Sequence, residues 1–155
     1  CQFKAEFPNI QSFDIVITQV LSMRRPAMKL AGWAELRDLA LSLELPEITE
    51  ATPWGNPCLK AHGKMWCWWA PQDYANAPAF RMDRAELEFL LEVDPDRFFS
   101  TPHHRPHNTI LMRPDVFDPV WARRSWIRAW RSYAPKRFLA AWDAANPGHE
   151  AATPG

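Results

Sequence analysis

Few cysteines, no long apolar run and no net charge mark this sequence, and each shortage removes a class of protein. Cys1, Cys58 and Cys67 are the only cysteines. An odd number without Cys-x-x-Cys spacing argues against a disulfide framework and a structural zinc site, and points to a reducing, cytoplasmic setting. No stretch approaches the roughly 20 apolar residues that cross a bilayer. The segment Phe13–Leu21 is apolar, but it holds Asp14 and Gln19, and its Arg pair follows on the C-terminal side. A secretory signal carries its positive charge first. Lys and Arg number 18, and so do Asp and Glu, so the whole molecule has no long-range attraction to nucleic acid or membrane. There is no internal repeat.

What remains is enough for one domain. A chain of 155 residues buries a core without staples. Nine Trp and fifteen Pro are the unusual abundances. Trp brings large apolar area with an N–H that needs a partner, and Pro cuts the chain into short elements. Cys1 is not a natural start and Met28 could be one, so residues 1–27 are expected to be an extension that adds little to the core, despite the β-rich run Phe13–Val20. The domain proper is expected over 28–146, with a flexible tail over 147–155.

Along that domain, Trp33, Leu36, Leu39, Ala40 and Leu43 recur at helical spacing until Pro46. Residues 47–53 read as a connection. Strands are expected over 57–62 and 64–70, turning at His62-Gly63, then near 79–82 and over 109–112. Asp83 is a good N-cap with Glu86 as its capping-box partner, and Asp118-Pro119 gives a cap followed by a proline at the first helical position. Helices are expected near 33–43, 83–92, 119–133 and 136–145. The order α-β-β-β-α-β-α-α, with strands joined by short turns, predicts an α+β domain with an antiparallel sheet and helices packed on one face.

Signatures of catalysis are mostly missing. Gly55 to Gly63-Lys64 has the wrong spacing for a phosphate loop, with Met65 in place of Ser or Thr and no helix after it. His103, His104 and His107 sit among prolines with no acid or cysteine nearby, so solvated loop histidines are expected rather than a metal site. No nucleophile elbow is present, and Cys58 and Cys67 read as packed small hydrophobes. Glu44, Glu47 and Glu50 read as surface acids. No catalytic residue, metal or cofactor is therefore expected.

Charge is distributed unevenly. From His103 to Arg137 eight Lys and Arg face two Asp, a net of +6, while Asp83 to Asp96 holds six acids and one Arg, a net of −5. Arg124, Arg128 and Arg131 share a stripe of the 119–133 helix. Lys136 follows it, and Lys60, Lys64 and Arg105 could extend the patch. Such a surface suits phosphates. The competing reading is a solvated Arg face opposite a buried face of Trp121, Trp126 and Trp130. A second candidate surface, for a protein or small ligand, joins Trp54, Gly55 and Trp66.

Several spacings resemble the MmcQ/YjbR family: Leu41-Ser-Leu-Glu-Leu-Pro46, Glu50-Ala-Thr-Pro-Trp-Gly-Asn-Pro57, Lys60-Ala-His-Gly-Lys-Met-Trp66, Asp94-Pro95 with Phe98-Phe99, Thr101-Pro-His-His-Arg105, and Ala129-Trp-Arg-Ser-Tyr-Ala-Pro-Lys136. The match spans roughly 30–142. It departs from the family pattern at Glu47 (often Gly), Cys58 (often aromatic) and His104 (often Tyr), where any hydrogen bond of the tyrosine hydroxyl would be lost. The resemblance implies a CyaY-like α+β fold and a DNA-related role. The expectation is a non-enzymatic module binding DNA with little sequence preference, the alternative being the Trp54–Trp66 ligand surface.

Overall fold

The computed structural model describes residues 27–149, so the expectations for residues 1–26 and for 150–155 lie outside the described residues. Helix α1 (Trp33–Leu41) buries Leu36 and Ala40. It ends before the predicted Leu43 because Glu44 turns into the left-handed region at φ 54°, yet Leu43 and Leu45 still reach the core. Strand β1 (Ile48–Ala51) then pairs antiparallel with β2 (Cys58–Ala61), where a plain connection was expected. His62 and Gly63 both take positive φ, 50° and 81°, which is the type I′ requirement for a two-residue hairpin into β3 (Lys64–Ala70).

Strand β4 (Ala77–Arg81) begins two residues before the predicted segment. Helix α2 (Arg84–Val93) is capped by Asp83, whose side chain accepts from the Glu86 N–H at 2.8 Å. The Glu86 carboxylate, expected to complete a capping box, instead meets Arg128. A two-residue strand β5 (Phe98–Phe99) follows, then β6 (Thr109–Met112). Helix α3 (Pro119–Tyr133) starts where predicted, with Asp118 accepting from the Val120 and Trp121 N–H groups at 3.0 Å each. Helix α4 (Lys136–Ala145) follows Pro135.

All pairings in the six-stranded sheet are antiparallel, in the order β1-β2-β3-β4-β6-β5. The predicted class holds. The element order gains β1 and β5, one at each edge of the sheet. Between Leu59 and Lys60 the register shifts: Leu59 faces Cys67 and Lys60 faces Met65, so Trp66 is the extra residue of a bulge. The bulge turns two successive side chains, Trp66 and Cys67, into the core.

Every buried helical residue joins one cluster with Leu59, Ala61, Phe80, Phe98, Ile110 and Met112, so the helices pack on one face. The opposite face buries a thinner layer of Cys58, Trp68, Ala70, Ala77, Ala79 and Leu111. Ala75 of the β3–β4 loop packs on that layer, and its neighbour Tyr74 stacks on His103 of the β5–β6 connection, ring centroids 4.6 Å apart. Two loops that leave opposite ends of the strands thus meet. Met28 forms a bridge with Phe117, N–H to carbonyl in both directions at 2.8 and 2.9 Å, which ties the first described residues to the lead-in of α3. At the other end His149 sits edge-on against Trp142 at 4.7 Å. Among the described residues no helix is long and apolar enough to cross a membrane.

One buried charge cluster knots the helical layer. Arg97 lies between Asp94, at the end of α2, and Asp118, the cap of α3, with N–O separations of 3.4 and 3.3 Å and all three residues buried. Burial is the main influence on the Asp118 carboxyl and raises it above its ordinary value, against the opposing pull of its two N–H donors and Arg97.

Candidate nucleic-acid interface

The arginine stripe of α3 forms as its spacing requires, but neighbouring helices claim two of its three guanidiniums. Arg128 Nη1 donates to both carboxylate oxygens of Glu86 at 2.8 Å. Arg131 grips Asp143 of α4 with two parallel bonds of 2.7 and 2.9 Å, which holds the Asp143 carboxyl below and the guanidinium above their ordinary values. Arg105 is likewise engaged, donating to Glu88 at 2.6 Å and lowering that carboxyl. Acids of α2 thus neutralise Arg105 and Arg128, and Asp143 of α4 neutralises Arg131. Arg124 stays exposed at the other end of α3, within the electrostatic reach of Asp118. Behind the stripe, Trp126 and Trp130 are buried and Trp121 is half-buried, and the Trp130 indole donates to the Pro46 carbonyl at 2.8 Å. These tryptophans are core, as the competing reading had it.

Of the other cations, Lys64 and Arg81 lie near Tyr133. Lys64 opens β3, and its ammonium lies 5.5 Å from the centroid of the Tyr133 ring at the end of α3. Lys136 and Arg137 are exposed three and four residues after Tyr133, at the start of α4. Arg81, at the end of β4, acts electrostatically on Tyr133 and stacks over Trp68 at 5.5 Å. Lys60 stands on the same β2–β3 hairpin but on the other face, since it pairs with Met65, which packs against the thinner layer. Burial nevertheless raises the Tyr133 phenol above its ordinary value. Lys60, Lys64, Arg81, Lys136 and Arg137 make no ion pair among the described residues. Of these cations only Arg81 lines a cleft of about 330 Å³, with Asp83, Glu86, Ser125, Arg128 and Tyr133 among its walls.

The second candidate surface does not exist as drawn. Trp66 is only 2% exposed, and its indole donates to the Trp126 carbonyl at 2.8 Å, because the bulge turns it inward. Trp54 stands alone at the β1–β2 tip, 98% exposed, with φ 55° and ψ 28°, next to Gly55 at φ 80°. Bulky residues rarely take that left-handed conformation. Trp54 lies outside the paired strands, between Pro53 and Gly55, whereas Trp66 lies in β3, where the bulge turns it inward.

The loop histidines are not all solvated. His104 is buried, with Nδ1 2.7 Å from the Thr101 hydroxyl, so this position keeps a hydrogen bond where the family often has Tyr. Burial, reinforced by the charges of His103 and His107, lowers its pKa. Cys58 and Cys67 are free and buried, and burial raises both thiols. Among the described residues no group of three or more His, Cys, Asp or Glu is placed to hold a metal ion.

A family model for YjbR matches residues 43–135. That span takes in all six strands, α2 and α3, and with them Trp54, Lys60, Lys64, Arg81 and Tyr133. No curated protein and no solved structure matches the chain. The chain, matched over more than half its length, belongs to the YjbR family.

Proposed function

We propose that this protein is a non-enzymatic nucleic-acid-binding module that holds phosphates with little base preference. The observation that supports this most is the pair Lys64 and Arg81 beside Tyr133, with Lys136 and Arg137 exposed at the start of α4 and Lys60 on the other face of the hairpin, none of them in an ion pair among the described residues. Every other predicted phosphate ligand except Arg124 already has a carboxylate. Unpaired cations gathered on a neutral molecule give a local field, and each phosphate they meet releases counterions. Free, buried Cys58 and Cys67 suit a reducing, cytoplasmic location.

The test is a titration of labelled duplex and single-stranded DNA at several salt concentrations, with wild type and a Lys60→Gln/Lys64→Gln/Lys136→Gln variant. The variant should bind every sequence more weakly. Its slope of log K against log salt should flatten by up to about 2.7 units on duplex, at roughly 0.9 per phosphate contact. Arg128→Gln/Arg131→Gln should leave that slope in place. Absence of wild-type binding at low salt, or an unchanged slope in the lysine variant, overturns the reading.

A further inference from the structure

Trp54 is the most exposed large apolar side chain described, and the fold gains nothing visible from it. It makes no ring contact or hydrogen bond among the described residues, while its backbone is held in a conformation disfavoured for a bulky side chain. Strain of this kind persists only where the surroundings impose it, and it gathers at binding sites. Here the surroundings are Pro53, Gly55 and Pro57 across a loop closed by the Ala51–Cys58 pair and by N–H bonds from Gly55 to Thr52 and from Asn56 to Pro53. The result is an indole presented to solvent on a short, stiff support.

We propose that Trp54 is a stacking platform for an unpaired base, so that the nucleic acid bound by this module is single-stranded; the inference rests on the phosphate-binding reading above. An indole face accepts any base, which fits a module without sequence readout. Strand β2 links the two features: Trp54 precedes its start at Cys58, and Lys60 and the Lys64 hairpin lie at its end. Its four residues cover about 10 Å at roughly 3.3 Å per residue, so the indole and the Lys64 hairpin stand at opposite ends of this strand. Glu50, which faces Leu59 across the β1–β2 pair, is held by Arg37, which lowers its carboxyl through a hydrogen bond.

The test compares two probes of equal charge, an oligothymidylate of about 12 nucleotides, within the usual site size, and its abasic counterpart. Both are titrated with the full-length protein and with Trp54→Ala at fixed salt. Trp54→Ala should lose about five- to 150-fold affinity for the base-bearing probe, the value of one base stacked on an aromatic ring. It should bind the abasic probe as wild type does, and its salt slope should be unchanged. Trp54→Phe should recover part of the loss. Melting curves should show the variants folded, since the side chain touches nothing described. If wild type binds with a steep salt slope and Trp54→Ala binds each probe as tightly as wild type does, the stacking role falls while phosphate binding stands, and Trp54 belongs to another partner such as an apolar pocket on a protein. An equal loss on both probes also overturns stacking. If wild type binds neither probe at low salt, both readings fall together.

Discussion

Among the described residues six other than glycine take positive φ, and they include Glu47 at 62° and Trp54 at 55°. A left-handed conformation costs an ordinary L-residue on the order of 1 kcal/mol, and glycine escapes the penalty. Glu47 stands where the related sequences often carry glycine, and its geometry gives the reason. Glu47→Gly should therefore raise the unfolding free energy by about 1 kcal/mol in a urea titration. The His62 N–H bond to the Glu47 carbonyl uses only backbone and should survive the change. Trp54→Gly should stabilise the fold by a similar amount, about 1 kcal/mol, while weakening binding to single strands. A destabilised Trp54→Gly variant would show that the indole supports the loop after all.

At the scale of elements, the local signals were legible and the distant ones were not. The Asp83 and Asp118 caps, the Asp118-Pro119 start and the His62-Gly63 turn each depend on residues within three positions, and each formed as read. Strand β1 escaped because Ile48–Ala51 is four residues long, mixes apolar with polar, and exists by pairing with β2. The bulge that buries Trp66 is a property of two strands at once. The stripe of Arg124, Arg128 and Arg131 could be read from helical spacing, but Glu86 lies 42 residues from Arg128, and no pattern within α3 announces it. The Arg97 knot is equally non-local, and it makes Asp118 the most consequential cap. Asp118→Ala removes the acceptor of two N–H groups and one of the carboxylates facing Arg97. It should cost about 3 kcal/mol, combining a lost cap with a weakened buried ion cluster. Asp118→Asn keeps a good cap and drops the charge, so its loss should be clearly smaller. Equal losses for the two variants would assign the whole effect to the charge.

Across the whole molecule, two histidines held neutral should make the fold sensitive to mild acid. Burial lowers the pKa of His62, packed between Trp130 and Phe138, and of His104, beside Thr101. The unfolded chain takes up protons near the ordinary value of 6.5, while the folded chain resists them. Stability is then complete above that value and falls as pH drops through 6.5 toward the lower folded-state pKa values. The melting midpoint should decline between about pH 7 and about pH 5, and His104→Gln should decline less steeply. A flat midpoint across that window would show that neither ring is kept neutral. The placement of the nine indoles has an optical consequence. Eight are buried or half-buried, and one, Trp54, stands in water. Iodide should therefore quench a small red-edge component of the emission and leave the bulk untouched, and Trp54→Phe should abolish that component. The chain thus carries its own probe at the β1–β2 tip, and an oligonucleotide that shields Trp54 from iodide would report binding without a label.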